Sequence, residues 1–138
     1  MEHQVKSDHF SLRIKLRIFQ ENICLLSNTI MEVQVVSDGF SANTTMDIDI
    51  KEFGKFALDL SHVYETLSGE ARIEEPYGRQ MYLRFIGNGR GHIAIDGYLQ
   101  KENRIGNEQI LKFENEIDQT SLRDFCYELV SSYKQFLQ

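Results

Sequence analysis

The residues with the clearest capacity for chemistry lie in the second half of the chain. His92 and Asp96 fall on one face of a predicted strand, with Arg84 on the strand before it, and an imidazole beside a carboxylate could act as an acid–base pair. Such spacing arises often by chance, so we interpret these side chains as surface residues. The sequence has no nucleophile motif, no histidine pair at helical spacing and no cysteine–histidine metal cluster. We therefore predict that the protein is not an enzyme and that it binds no cofactor and no metal.

The glycine-rich segment between these residues raises a second possibility. Gly87, Gly89 and Gly91 alternate with other residues, as in some loops that bind phosphate. Such loops lead from a strand into a helix, whose N-terminus binds the anion. Here a strand pattern continues on both sides, so the segment predicts a turn. Asp47 and Asp49 could likewise bind a cation, but Asp49 is better explained as the N-cap of a helix.

The segments on either side of this turn predict a β-hairpin near the middle of a sheet. A three-residue loop, Asn88-Gly89-Arg90, would pair Phe85 with Ile93 and place the apolar side chains of both strands on one buried face. Tyr82 and Arg84 would then lie on the opposite, solvated face.

A second hairpin is indicated nearer the N-terminus. Asp38-Gly39 is a strong signal for a two-residue turn, because both positions tolerate positive φ. Its register pairs Val35 with Ala42 on a buried face, which leaves Glu32 and Gln34 on the polar face. The agreement between turn and alternation makes this the best-supported hairpin in the sequence.

Further strands follow from the same alternation. Residues 10–19 alternate strictly, so that Arg13, Lys15 and Arg17 form a basic stripe on one face. Shorter strands are predicted at residues 71–75 and 110–117. The turn between the first of these and the central hairpin is predicted to be Pro76-Tyr77-Gly78, which contains the only proline of the chain.

Two segments have the apolar spacing of amphipathic helices. The first begins after Asp49 and is predicted to end at Gly69; the second spans about residues 121–136, with Thr120 or Ser121 as its cap. The strands before each helix give a weak twofold repetition in the order of elements. We predict an α+β fold: a single, mostly antiparallel, curved sheet of about six to eight strands with both helices packed on one face.

Length and charge narrow the class of protein. The chain has 138 residues, which predicts a single α+β domain at residues 9–138, and the polar residues 1–8 predict a flexible N-terminus. A net charge of −6 argues against nucleic-acid or membrane binding and leaves room for a basic protein partner. Cys24 and Cys126 are predicted to be buried free thiols. The polar N-terminus is unlike a signal peptide, so we expect a cytoplasmic protein.

Several short motifs carry a family resemblance over about residues 30–137. Asp38-Gly39-Phe40, followed by a helix that ends with Leu67-Ser68-Gly69, resembles the bacterial WapI-like immunity proteins. So do Gly89-Arg90-Gly91-His92-Ile93-Ala94-Ile95-Asp96-Gly97 and Asp118-Gln119-Thr120-Ser121-Leu122. The resemblance implies a non-catalytic inhibitor that binds and neutralises the toxic domain of a secreted or wall-associated polymorphic toxin.

The expected partner is therefore a cognate toxin domain, with a homodimer through an unpaired edge strand as a further possibility. The alternative function is a small-ligand-binding or regulatory domain. The side chains predicted to bind the partner lie on the polar strand faces: Arg13, Lys15, Arg17, Glu32, Gln34, Tyr82 and Arg84.

Overall fold

The computed structural model describes residues 1–77 and 81–137. Over these residues the chain forms four strands, a helix, four strands and a second helix, which confirms the predicted repetition. The strands are β1 (Glu2–Ser7), β2 (Phe10–Ile18), β3 (Thr29–Ser37), β4 (Phe40–Ile48), β5 (Ser68–Glu74), β6 (Met81–Asn88), β7 (Ile93–Glu102) and β8 (Glu108–Ile117). The helices are α1 (Ile50–Thr66) and α2 (Gln119–Tyr133), with 3₁₀ turns at Gln20–Asn22 and Lys134–Leu137.

The strands form two antiparallel sheets of four strands each, in the orders β1-β2-β3-β4 (sheet 1) and β5-β6-β7-β8 (sheet 2). The prediction of about six to eight antiparallel strands with two helices is confirmed, but the prediction of one continuous sheet is wrong. Alternation shows only that each strand buries one face. The long connection through α1 carries the chain from the edge of one sheet to the edge of the other, where a hairpin would have continued the same sheet.

The two sheets meet through their buried faces near β4, β7 and β8. The Phe10 and Phe113 rings stack across the junction with their centroids 5.6 Å apart. The Thr44 hydroxyl donates a hydrogen bond to the carbonyl of Gln100 at 3.1 Å. A single hydrophobic core therefore includes side chains of both sheets and both helices.

Both helices contribute side chains to this core. The α1 helix packs against β5 and β6, whereas α2 packs against β1 and against α1. The helices thus divide between the two sheets, which corrects the prediction that both lie on one face of one sheet. Within the described residues, no helix is long and apolar enough to cross a membrane.

In both predicted hairpins, the observed register places the side chains that were predicted to be buried on the buried face of the sheet. Val35 pairs with Ala42 around the Asp38-Gly39 turn, as predicted. In the central hairpin the loop has three residues but is Gly89-Arg90-Gly91, since the Asn88 amide donates to the carbonyl of His92. Phe85 therefore pairs with Ile95 instead of Ile93, a shift of two positions that leaves every side chain on its predicted face.

Several element ends differ from the sequence predictions. Asp49 does cap α1, its carboxylate accepting from the Lys51 amide at 3.0 Å, but the C-cap of α1 is Leu67, in the left-handed conformation, and not Gly69. The cap of α2 is Asp118, whose carboxylate accepts from the Ser121 amide at 2.9 Å. The hydrogen bonds from Ser121 lower the pKa of Asp118, because they stabilise its charged form.

The N-terminal residues, predicted to be flexible, form β1 and pair along β2. Val5 and His3 point inward from this strand, and His3 contacts Glu128 through Nδ1 and the Tyr133 hydroxyl through Nε2. A buried polar residue in an otherwise polar segment hides the alternation that identifies a strand. The result is a polar contact between sheet 1 and α2.

Only one of the two predicted buried thiols is buried. Cys126 lies in the core, and burial raises the pKa of its thiol to about 12, whereas Cys24 is exposed. Cys24 lies in the connection between β2 and β3. Of the predicted turn after β5, Pro76 and Tyr77 do lie in a turn, and Gly78 is outside the described residues.

Candidate functional site

The residues predicted to bind a partner divide between two surfaces. Each sheet buries one face against the common core and turns its outer face away from it. The predicted residues on the outer face of sheet 1 are Arg13, Lys15, Arg17, Glu32 and Gln34. Those on the outer face of sheet 2 are Tyr82 and Arg84. The seven side chains therefore do not form a single site.

The outer face of sheet 1 has mostly polar and charged side chains, with the apolar Ile30 and Val36 among them. The Arg17 guanidinium lies 5.0 Å from the centroid of the Phe19 ring, just after β2. Lys15 lies opposite Glu32 in the β2–β3 register, and a guanidinium nitrogen of Arg13 is 3.6 Å from Glu2 Oε1. The outward charges of its strands are nearly balanced: Lys6, Arg13, Lys15 and Arg17 against Glu2, Glu32 and Asp47. No aromatic side chain projects from this face within the described strands. Its composition is that of a solvated surface.

The outer face of sheet 2 is different, because two tyrosines lie side by side at its centre. Tyr82 of β6 pairs with Tyr98 of β7, and their rings meet edge to face with centroids 5.3 Å apart. The guanidinium of Arg72, on β5, lies over the Tyr82 ring at 4.3 Å from the centroid. Arg72 is itself bonded to Glu74 at 2.9 Å. Each tyrosine ring is thus held by neighbours on adjacent strands.

The next outward-facing residues of β6 and β7, Arg84 and Asp96, form an ion pair. Arg84 donates from Nε and Nη2 to the two carboxylate oxygens of Asp96, at 3.0 and 2.7 Å. These hydrogen bonds raise the pKa of Arg84, because they stabilise the charged guanidinium. Both oxygens of Asp96 therefore serve Arg84, and His92 lies outside this pair in the turn before β7. The geometry gives no support to an acid–base role for His92 and Asp96.

The outer faces of the two sheets also differ in charge. The outward acids of sheet 2 are Glu70, Glu74, Asp96, Glu102, Glu108, Glu114 and Glu116, and its outward bases are Arg72, Arg84 and Lys112. Acidic side chains therefore exceed basic ones on this sheet, whereas sheet 1 has slightly more basic ones. We call the outward residues of sheet 2, with Tyr82 and Tyr98 at their centre, the acidic tyrosine face.

A shallow cleft of about 530 Å³ runs along this face beside the tyrosines. Tyr82, Tyr98, Lys112 and Glu114 contribute to its walls. Sequence reasoning named Tyr82 but missed Tyr98 and the acids of β8. The strand register could have identified them. Tyr98 lies opposite Tyr82 once β6 and β7 are aligned, and Lys112 lies opposite Tyr98 once β7 and β8 are aligned.

The described part of the chain contains no group of three or more histidine, cysteine, aspartate or glutamate side chains that could hold a metal ion. Asp49, considered above as a cation ligand, is occupied in capping α1 and also accepts from Asn28 Nδ2 at 3.0 Å. The candidate site is therefore the acidic tyrosine face, because tyrosine and arginine side chains suit recognition of another protein.

The family of the chain follows from comparison with known proteins. A model of the immunity protein WapI-like family matches residues 3–137. The chain belongs to this family. The match covers both sheets and both helices, so the resemblance noted in the short motifs extends over nearly the whole chain. No curated protein is significantly similar to the chain.

Proposed function

We propose that this protein neutralises a cognate toxic protein domain by binding it in a stoichiometric complex in the cytoplasm. The observation that carries the proposal is the match of the immunity protein WapI-like family to residues 3–137. Because that match includes every strand and helix, the proposal concerns the whole domain and not a local motif. Inhibition by binding requires only a complementary surface, and no reaction centre.

The charge of the protein supports a basic toxin domain as the partner. The net charge is −6, and domains that attack nucleic acids tend to be basic because they bind phosphates. Opposite charges steer two proteins together and raise the association rate, most strongly at low salt. We therefore expect rapid association that slows as the salt concentration rises.

The direct test is co-expression with a candidate toxin domain encoded next to the gene of this protein, followed by purification and titration. We expect a one-to-one complex and survival of cells that express both proteins. In the titration, inhibition of the toxin domain should be complete at one equivalent of this protein. A catalytic inactivator would instead abolish toxicity at far less than one equivalent. If no complex forms and cells are not protected, the proposal is wrong, and the ligand-binding alternative becomes the better hypothesis.

A further inference from the structure

Assuming the proposed function, we propose that the acidic tyrosine face is the surface on which a basic patch of the toxin domain docks. The outer faces of the two sheets differ in both charge and aromatic content. An acidic partner would be matched by the basic stripe of sheet 1 around Lys15. A basic partner is matched by sheet 2.

The first argument comes from like charges that the strand register places opposite one another. Glu102 lies directly across from Glu108, and Asp96 directly across from Glu114. Like charges at such positions repel and destabilise the pairing of the strands. Arg84 offsets the charge of Asp96 but bonds both of its oxygens, which leaves Glu114 for other cations. Lysine or arginine side chains of a partner would relieve this repulsion.

The second argument comes from the tyrosines. Tyrosine and arginine are the residues that most often dominate binding energy at protein interfaces. Here Tyr82 is fixed between Arg72 and Tyr98, and Arg84 is fixed by its two bonds to Asp96. Side chains that are already ordered lose little entropy when a partner binds. Cations of the partner can also lie against tyrosine rings.

The test compares variants of this face with matched variants elsewhere. Tyr98→Ala removes one ring of the central pair, and Tyr127→Ala is its control, because Tyr127 on α2 forms a similar edge-to-face pair with Tyr64 at 6.0 Å. Glu114→Lys reverses one charge of the face, and Asp47→Lys makes the same change on the outer face of sheet 1. Binding of the same candidate toxin domain is measured by surface plasmon resonance at low and high salt.

We expect Tyr98→Ala to raise Kd by about tenfold or more, and Glu114→Lys to slow association by about tenfold at low salt, with a smaller effect at high salt. Both controls should stay within about threefold of the wild type. Glu114→Lys should also keep or raise thermal stability, because it removes a like-charge pair, so that its loss of binding cannot be attributed to unfolding.

The outcomes separate the two proposals. If the wild-type protein binds tightly and the sheet 2 variants bind equally well, the docking surface is wrong and the immunity function stands. The same conclusion follows if Asp47→Lys weakens binding more than Glu114→Lys does. If the wild-type protein forms no complex, the proposed function is wrong, and the proposed docking surface falls with it.

Discussion

The two halves of the protein have the same plan but different outer surfaces. Each half is a four-stranded antiparallel sheet followed by a helix, and each buries one face of its sheet in the common core. Sheet 1 has a polar outer face with nearly balanced charge, whereas sheet 2 has a tyrosine pair surrounded by acids. Burial constrains the inner residues of both sheets alike, so the outer residues are free to differ. The proposed docking surface rests on this difference between the outer faces.

The two sheets also differ in the contacts that join them to the helices. Sheet 1 reaches α2 through the polar contacts of His3 in β1. In sheet 2, the ring centroids of Phe56 on α1 and Phe85 on β6 lie 5.9 Å apart, and a Cβ at Gly87 of β6 would lie 2.4 Å from the carbonyl carbon of Leu67, the C-cap of α1. Only glycine fits such a close approach. The polar and backbone attachments are therefore sensitive to different substitutions.

The largest expected effect concerns the junction that unites the two sheets. Phe113→Ala removes a buried ring that stacks on Phe10, so the free energy of unfolding should fall by about 3–5 kcal/mol. Ile110→Ala, at an exposed position of the same strand, should change it by less than about 0.5 kcal/mol. Urea unfolding followed by circular dichroism measures both. Separate transitions for the two halves would contradict a common core.

The next effect is specific to the inner surface of sheet 2. A Cβ at Gly97 would lie 2.3 Å from the Tyr82 carbonyl oxygen and 3.1 Å from the Phe113 ring. Gly97→Ala should therefore cost about 1–3 kcal/mol of stability through overpacking. Thr45→Ala, on the outer face of sheet 1, is the comparison and should have little effect. An unchanged melting temperature for Gly97→Ala would show that β6 and β7 can separate without penalty.

The attachment of sheet 1 gives an effect of similar or smaller size. His3→Ala leaves the buried Tyr133 hydroxyl without its partner, which should cost about 1–3 kcal/mol. Adding Tyr133→Phe should restore part of that stability, because removing both partners leaves no buried group unsatisfied. A thermal-unfolding double-mutant cycle measures this coupling. Strictly additive losses would mean that the His3–Tyr133 contact does not stabilise the fold.

The smallest expected effect on stability is at the ion pair of the acidic tyrosine face. The Arg84 and Asp96 side chains are 33% and 22% exposed, so Arg84→Ala should cost about 1 kcal/mol or less. Lys15→Ala provides the corresponding change on sheet 1. Stability is read from urea midpoints. If Arg84→Ala lowered the free energy of unfolding as much as Phe113→Ala does, the Arg84–Asp96 pair would have a structural role, and the comparison between the faces would be weakened.

The sequence allowed much of the fold to be predicted, but not the arrangement of the sheets. Alternation and turn residues identified the Val35–Ala42 register, because both depend on neighbouring residues in the chain. The split into two sheets depends on contacts between distant residues, such as Phe10 and Phe113, which leave no local pattern. The β1 strand was missed because its inward position at His3 is polar.

The candidate site was predicted only in part, for the same reason. Tyr82 and Arg84 were identified from strand parity alone. Their neighbours Arg72 and Tyr98 lie on other strands and required the full register of sheet 2. Parity also selected Lys15 and its neighbours on sheet 1, because it shows which side chains are solvated and not which solvated face binds a partner.

The most direct test of the difference between the two faces is chemical labelling of carboxylates in the free protein and in its complex with the toxin domain, read by mass spectrometry. We expect Glu102, Glu114 and Glu116 of sheet 2 to lose most of their labelling in the complex. Glu2, Glu32 and Asp47 of sheet 1 should be labelled as in the free protein. Protection of the sheet 1 acids, with those of sheet 2 still labelled, would contradict the assignment of the docking surface.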